Sequence, residues 1–157
     1  KTGLMQDLLT RGIDEHGNTV SADIANLEAG HALYEAGDVE AASERYAEAE
    51  GSRSRLVRLL ALSAQATALE TLENHDDAAA RFRQLADEGI GAIKEYAYVD
   101  LVRVQEAAGN TDGAMATCRE FETELPESPL LGDIQDRIRA LGGEVAEQEP
   151  VAEAETL

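Results

Sequence analysis

A chain of 157 residues suffices for one compact domain or a short helical array, and 43% apolar with only 4% aromatic residues supplies a core built mainly from Ala and Leu. Thirty-two acidic against 13 basic residues give a formal net charge of -19, which argues against binding nucleic acid or anionic headgroups, since both need Lys/Arg patches. The acidity serves either solubility in a salty medium or attraction of basic segments of a partner, and a single cysteine, Cys118, excludes an intramolecular disulfide.

The first element in chain order is a short N-terminal helix carrying Leu4, Met5, Leu8 and Leu9, followed by a loop at His16-Gly17-Asn18; residues 1–21 are assigned to it. From Asp23 onward the chain repeats. When Asp23 to Arg58, Leu59 to Lys94 and Glu95 to Leu130 are set beneath one another, two columns are pure alanine, Ala25/Ala61/Ala97 and Ala42/Ala78/Ala114, which fixes a period of 36 residues. Ile24/Leu60/Tyr96, Leu33/Leu69 and Tyr46/Phe82 are apolar columns, and Asp38/Asn74/Asn110 are turn formers.

Each block reads as two helices, because apolar residues recur at i, i+3, i+4 and i+7 on both sides of a short break. In the first block the spacing predicts helices over about Ala22 to Ala36 and Val39 to Glu50, with Gly37 supplying the left-handed turn between them. Asp76 and Asp112 stand where a carboxylate caps free N–H groups and faces the positive dipole end of the second helix. Beyond the third block, Ser128 and Pro129 read as cap and first position of a terminal capping helix whose stripe is Leu130, Leu131, Ile134, Ile138 and Leu141, stopped by Gly142 and Gly143. The array with its capping helix takes residues 22–143. Residues 144–157, with five glutamates and Pro150, are expected to be a disordered acidic tail. The fold class expected is all-α.

Gly30, Gly37, Ala42, Tyr46 and Ala49 in the first block, Ala66, Leu69, Ala78 and Phe82 in the second, and Tyr98, Leu101, Gly109, Ala114 and Pro126 in the third form a constellation that resembles the tetratricopeptide repeat (TPR) family. The resemblance covers roughly Asp23 to Pro129 and implies a right-handed helical solenoid of three helix-turn-helix repeats. The departures are a period of 36 where the family has about 34, Glu73 in place of the turn glycine, Gln105 at an apolar position and Cys118 at the aromatic one. The segment from Glu95 to Val104, with Ala108-Gly109-Asn110 and Leu125 to Pro129, is similar to the YfgM-like ancillary subunits of the Sec translocon. Those proteins have one N-terminal membrane anchor and a periplasmic TPR domain that contacts folding factors and translocating chains. That likeness implies a periplasmic location on a bacterial envelope, with an anchor upstream of Lys1, the alternative being a cytoplasmic location; within the chain itself there is no run of 18 apolar residues and no signal-peptide pattern.

The family binds its partners in a concave groove lined by the first helices. Carried over, that groove comprises Leu27, His31, Tyr34 and Glu35 in the first block, Ser63, Thr67 and Glu70 in the second, and Tyr96, Val99, Arg103 and Glu106 in the third. Family members that clamp a C-terminal carboxylate use Lys, Arg and Asn at several of these places; only Arg103 survives here. Two tyrosines and three glutamates suit an apolar or basic segment instead. The competing assignment is that some of these residues pack against the next helix.

Chemistry is sparse. His16, His31 and His75 show no metal-ligand spacing, and a helix start accounts for Asp76 and Asp77 beside His75. Asn110-Thr111-Asp112-Gly113 looks like part of a calcium loop, but Arg119 stands where the closing Glu belongs. Cys118 falls in a packing column, and no nucleophile elbow or phosphate loop is present. No catalytic residue and no cofactor is expected. The expected function is a protein or peptide interaction module, with a structural, self-associating subunit as the alternative.

Overall fold

The structure, a computed structural model, describes residues 19–145, and the expected N-terminal helix, its loop and most of the acidic tail lie outside the described residues. Within them the chain is all-helical. Seven helices follow one another: α1 (Val20–Glu35), α2 (Val39–Glu50), α3 (Arg55–Thr71), α4 (His75–Glu88), α5 (Ala92–Ala107), α6 (Thr111–Glu124) and α7 (Leu131–Ala140). Each packs on its neighbours in sequence, and α1 also touches α3.

Three turns of one design join α1 to α2, α3 to α4 and α5 to α6. Gly37, Glu73 and Gly109 hold positive φ of 86°, 59° and 73°. The amide of each following residue reaches back to the last helical turn, Asp38 to Leu33 O at 3.0 Å, Asn74 to Leu69 O at 2.9 Å and Asn110 to Gln105 O at 2.8 Å. This is the left-handed closure that satisfies carbonyls otherwise orphaned at a helix end. Glu73 is the sole non-glycine with positive φ among the described residues, and its Cβ makes that conformation costly.

The residue after each turn begins the next helix. Asp38 Oδ1 accepts from the Ala41 amide and Asn110 Oδ1 from the Gly113 amide, at 3.3 and 3.0 Å. Asn74 stands at the same place but spends its side chain on Asp77 Oδ2 at 2.6 Å. The capping expected of Asp112 therefore belongs to Asn110, two residues earlier, while in α4 the cap position falls not at Asp76 but at Asn74, which makes no side-chain cap bond. These aspartates lie inside the first turn, where they face the helix dipole without capping it.

Three boundaries also differ from the sequence expectation. Thr19 caps α1, its hydroxyl accepting from the Ala22 amide, so the helix starts at Val20 and not near Ala22. α7 starts at Leu131, because Ser128 Oγ accepts from the Leu130 amide at 3.2 Å and donates to Glu95 at 3.0 Å, holding Ser128 and Pro129 in a turn. Glu144 and Val145, expected in the tail, are held: Arg119 donates to the Glu144 carbonyl, and Val145 packs against the core.

Ala42, Ala78 and Ala114 are fully buried, and their small side chains let neighbouring helices approach closely. Gly30 goes further: a Cβ there would collide with the Tyr46 ring. Leu27, Ala42, Tyr46, Ala49, Ala61 and Ala68 form one core cluster over the first three helices. A larger one runs from α3 to α7 around Leu62, Phe82, Tyr98, Phe121, Ile134 and Ile138. Tyr98 meets Phe121 edge to face at 5.8 Å and donates to Glu120 at 2.9 Å, and Arg83 closes on the same carboxylate at 2.8 Å. Burial together with this carboxylate pushes the Tyr98 hydroxyl's pKa up, which keeps it a donor. Cys118 is buried and free, its thiol pushed up to about 11 chiefly by burial, which leaves it inert as a nucleophile.

Candidate functional site

Helices α1, α3 and α5 share one face, and the residues carried over as a groove divide on it into two groups. Four of them, in the C-terminal halves of the helices, are tied to a neighbouring helix. Tyr34 Oη lies 2.8 Å from Thr71 Oγ1, joining α1 to α3. Arg103 on α5 bonds Glu70 on α3 and, at 2.9 Å, Asp100 one turn back. Arg137 on α7 bonds Glu106 on α5 at 2.6 Å. Tyr34, Glu70, Arg103 and Glu106 thus form a row of ties across successive helices, and their hydrogen-bonding groups are already engaged. Burial and the nearby Arg137 hold the Arg103 guanidinium below its ordinary pKa, and burial raises that of the Asp100 carboxyl.

The N-terminal halves are different. Ile24, Leu60 and Tyr96 stand 44%, 48% and 59% exposed, and one turn earlier Val20 and Leu56 stand 38% and 62% exposed. Ala92 completes this second row. A run of large apolar side chains left in water, aligned at i and i+4 on three neighbouring helices, is the informative kind of exposure. Isolated exposed leucines would carry no such meaning.

Two clefts open along this face. One, of about 380 Å³ between α1 and α3, is floored by Leu27 and Tyr46 and edged by Glu28, His31, Tyr34 and Thr67. His31 is exposed and meets the Tyr46 ring edge to face at 5.4 Å, while Thr67 donates to the Ser63 carbonyl at 3.0 Å. Burial, with Tyr34 and Glu35 adding to it, pushes the Tyr46 hydroxyl up to about 12. The other cleft, of about 260 Å³ between α3 and α5, is walled by Leu60, Leu85, Ile93 and Tyr96, with Ser63 and Asp100 its polar members. Leu60 and Ser63 line both, so the clefts adjoin on α3, and the surface they make across α1, α3 and α5 is termed the trough.

Comparison with family models, with curated proteins and with solved structures gives no match.

Of the expected residues, His31, Tyr34, Thr67 and Tyr96 line the trough, Leu27 is its buried floor, and Glu35 is exposed at the end of α1. Val99 is withdrawn by packing against the core. Leu60, Ile93 and Asp100 belong to the site although they were absent from the expected set. Part of the signal was in the sequence, since Ile24, Leu60 and Tyr96 fall in a single apolar column; a column of apolar residues reads as core unless its exposure is known. Among the described residues no three His, Cys, Asp or Glu side chains are placed to hold a metal ion, and no helix is long and apolar enough to cross a membrane.

Proposed function

We propose that this chain is a TPR-type helical solenoid, three helix pairs and a capping helix, that holds a segment of another protein in the trough across α1, α3 and α5. The observation that carries the reading is the bare apolar ladder of Ile24, Leu60 and Tyr96, of which Leu60 and Tyr96 wall one cleft and Leu60 also borders a second. Support for the architecture comes from the three left-handed turns at residues 37, 73 and 109, which recur at the period of the sequence. The mode of binding is apolar side chains seated in shallow clefts, with the surrounding carboxylates selecting the partner by charge. Unfolded secretory chains, which the likeness to translocon-associated proteins implies as partners, expose segments of this kind.

The test is binding of fluorescein-labelled peptides rich in Leu and Phe, read by anisotropy. Leu60→Glu and Tyr96→Glu place a charge on the ladder and are expected to weaken binding at least thirtyfold, about 2 kcal/mol. Because both positions are exposed, the melting temperature should stay within about 2 °C of the parent. Unchanged affinity in both variants overturns the reading.

The self-associating alternative draws on Leu56 and Ile90, 62% and 64% exposed. A charge of -19 on every copy opposes it. Light scattering that finds an oligomer growing with concentration, lost in Leu56→Glu, would favour it over the peptide trough.

A further inference from the structure

The trough has a charge pattern as well as an apolar one. Beside it Glu70 and Glu106, and within it Asp100, face two guanidiniums, Arg103 and Arg137, which leaves one negative charge uncompensated. On α1, Glu28 edges the first cleft and Glu35 is exposed at the helix end, and neither is joined to a base by an ion pair among the described residues. The face is therefore apolar along its centre and negative at its margins, within a chain of net charge -19.

Asp100 is the carboxylate inside the cleft between α3 and α5. One of its oxygens accepts from Arg103 at 2.9 Å, and the other has no donor among the described residues. Arg103 is itself shared with Glu70, so its single positive charge is divided between two carboxylates. The walls leading to Asp100 are Leu60, Ile93 and the exposed ring of Tyr96. At about 260 Å³ the cleft is smaller than the roughly 300–1,000 Å³ of small-molecule pockets. It suits one long side chain.

We infer that the partner segment is basic and apolar together, and that the cleft between α3 and α5 takes the side chain of one of its arginines or lysines. The aliphatic stem lies along Leu60 and Ile93, the cation passes the face of Tyr96, and the charged head ends against the free oxygen of Asp100. Long basic side chains bury their stems on apolar surface in this way, and an aromatic face adds attraction for the cation. The wider cleft between α1 and α3 seats a neighbouring apolar residue of the same segment. This rests on the proposed peptide-binding role of the trough and adds the class of segment it selects.

The test compares one peptide of alternating Leu and Arg with the same peptide in which every Arg is citrulline, which keeps the shape and removes the charge. Affinity is read by anisotropy in 50 mM and 500 mM salt. On the unaltered protein the citrulline peptide is expected to bind at least tenfold more weakly at the lower salt. Asp100→Asn should reduce that preference to about twofold, while Glu44→Gln, which removes an equal charge from the exposed surface of α2, should leave most of it. Circular dichroism confirms that the variants are folded, and the comparison of peptides on the unaltered protein needs no variant. Equal binding of the two peptides overturns the inference, as does a preference that Asp100→Asn leaves intact. If the citrulline peptide binds as well as the Arg peptide and Leu60→Glu abolishes both, the trough stands and only its basic selectivity falls. If neither peptide binds, both fall.

Discussion

The two ends of helices α1, α3 and α5 face the same solvent and are built on opposite plans. At the C-terminal ends, polar residues bridge each helix to the next through Tyr34 and Thr71, Glu70 and Arg103, Glu106 and Arg137. At the N-terminal ends, Ile24, Leu60 and Tyr96 project into water, with a cleft between Leu60 and Tyr96. The polar residues look like a ligand-binding set and have spent their hydrogen bonds on neighbouring helices, whereas the apolar ones look like core and have no core to join. Concentrating the ties between helices at one end leaves the apolar side chains at the other end uncovered. Substitutions at the tied end should alter stability and leave binding alone, and those at the exposed positions of the open end should alter binding and leave stability alone.

The largest expected effect on stability comes from the floor beneath the open end. Gly30 lies against the Tyr46 ring, which floors the cleft between α1 and α3. Gly30→Ala forces the ring to move, and overpacking of this kind costs about 1–3 kcal/mol. Urea denaturation should show a lower midpoint with little change of slope, and peptide affinity should fall with it because the displaced ring fills the cleft. A stable variant of unchanged affinity would mean that Tyr46 has room to move and that the open end does not depend on it.

A smaller effect of opposite sign is expected at the tied end. Glu73 holds φ of 59° where Gly37 and Gly109 stand in the corresponding turns. Relieving its Cβ strain outweighs the extra freedom glycine gains in the unfolded chain, so Glu73→Gly should stabilise by about 0.5–1 kcal/mol. Thermal unfolding measures it, and peptide affinity should not change. The partner substitution Gly37→Ala should destabilise by a similar amount.

How far the sequence reveals this molecule differs between its elements and its face. The turns were readable because each carries a glycine or its replacement, and a left-handed residue is a local requirement that leaves a local mark. The buried alanines Ala42, Ala78 and Ala114 were readable because helix approach restricts size at each of them. The caps were misplaced by two residues, since Asp76 and Asp112 satisfy the dipole as well as Asn74 and Asn110 satisfy the turn, and composition does not separate the two tasks. The face was the least legible. Whether Glu70 meets Arg103 or a ligand depends on a neighbour 33 positions away, and whether Leu60 is core or surface depends on the separation of α3 and α5. Both are properties of helix placement, which no single segment encodes.

The smallest predicted effect discriminates best between the two ends. Glu70 and Arg103 are partly exposed, with side chains 23% and 41% accessible, so solvent screens their attraction and holding two long side chains together costs entropy. A double-mutant cycle of Glu70→Ala and Arg103→Ala should give a coupling of about 0.2–1 kcal/mol that shrinks as salt rises. In the same variants, affinity for an uncharged apolar peptide should change by less than twofold, because the ladder of Ile24, Leu60 and Tyr96 is untouched. Zero coupling combined with a large loss of affinity would reverse the assignment: the polar row would be the binding surface, and its hydrogen bonds would be exchanged for the partner's on association.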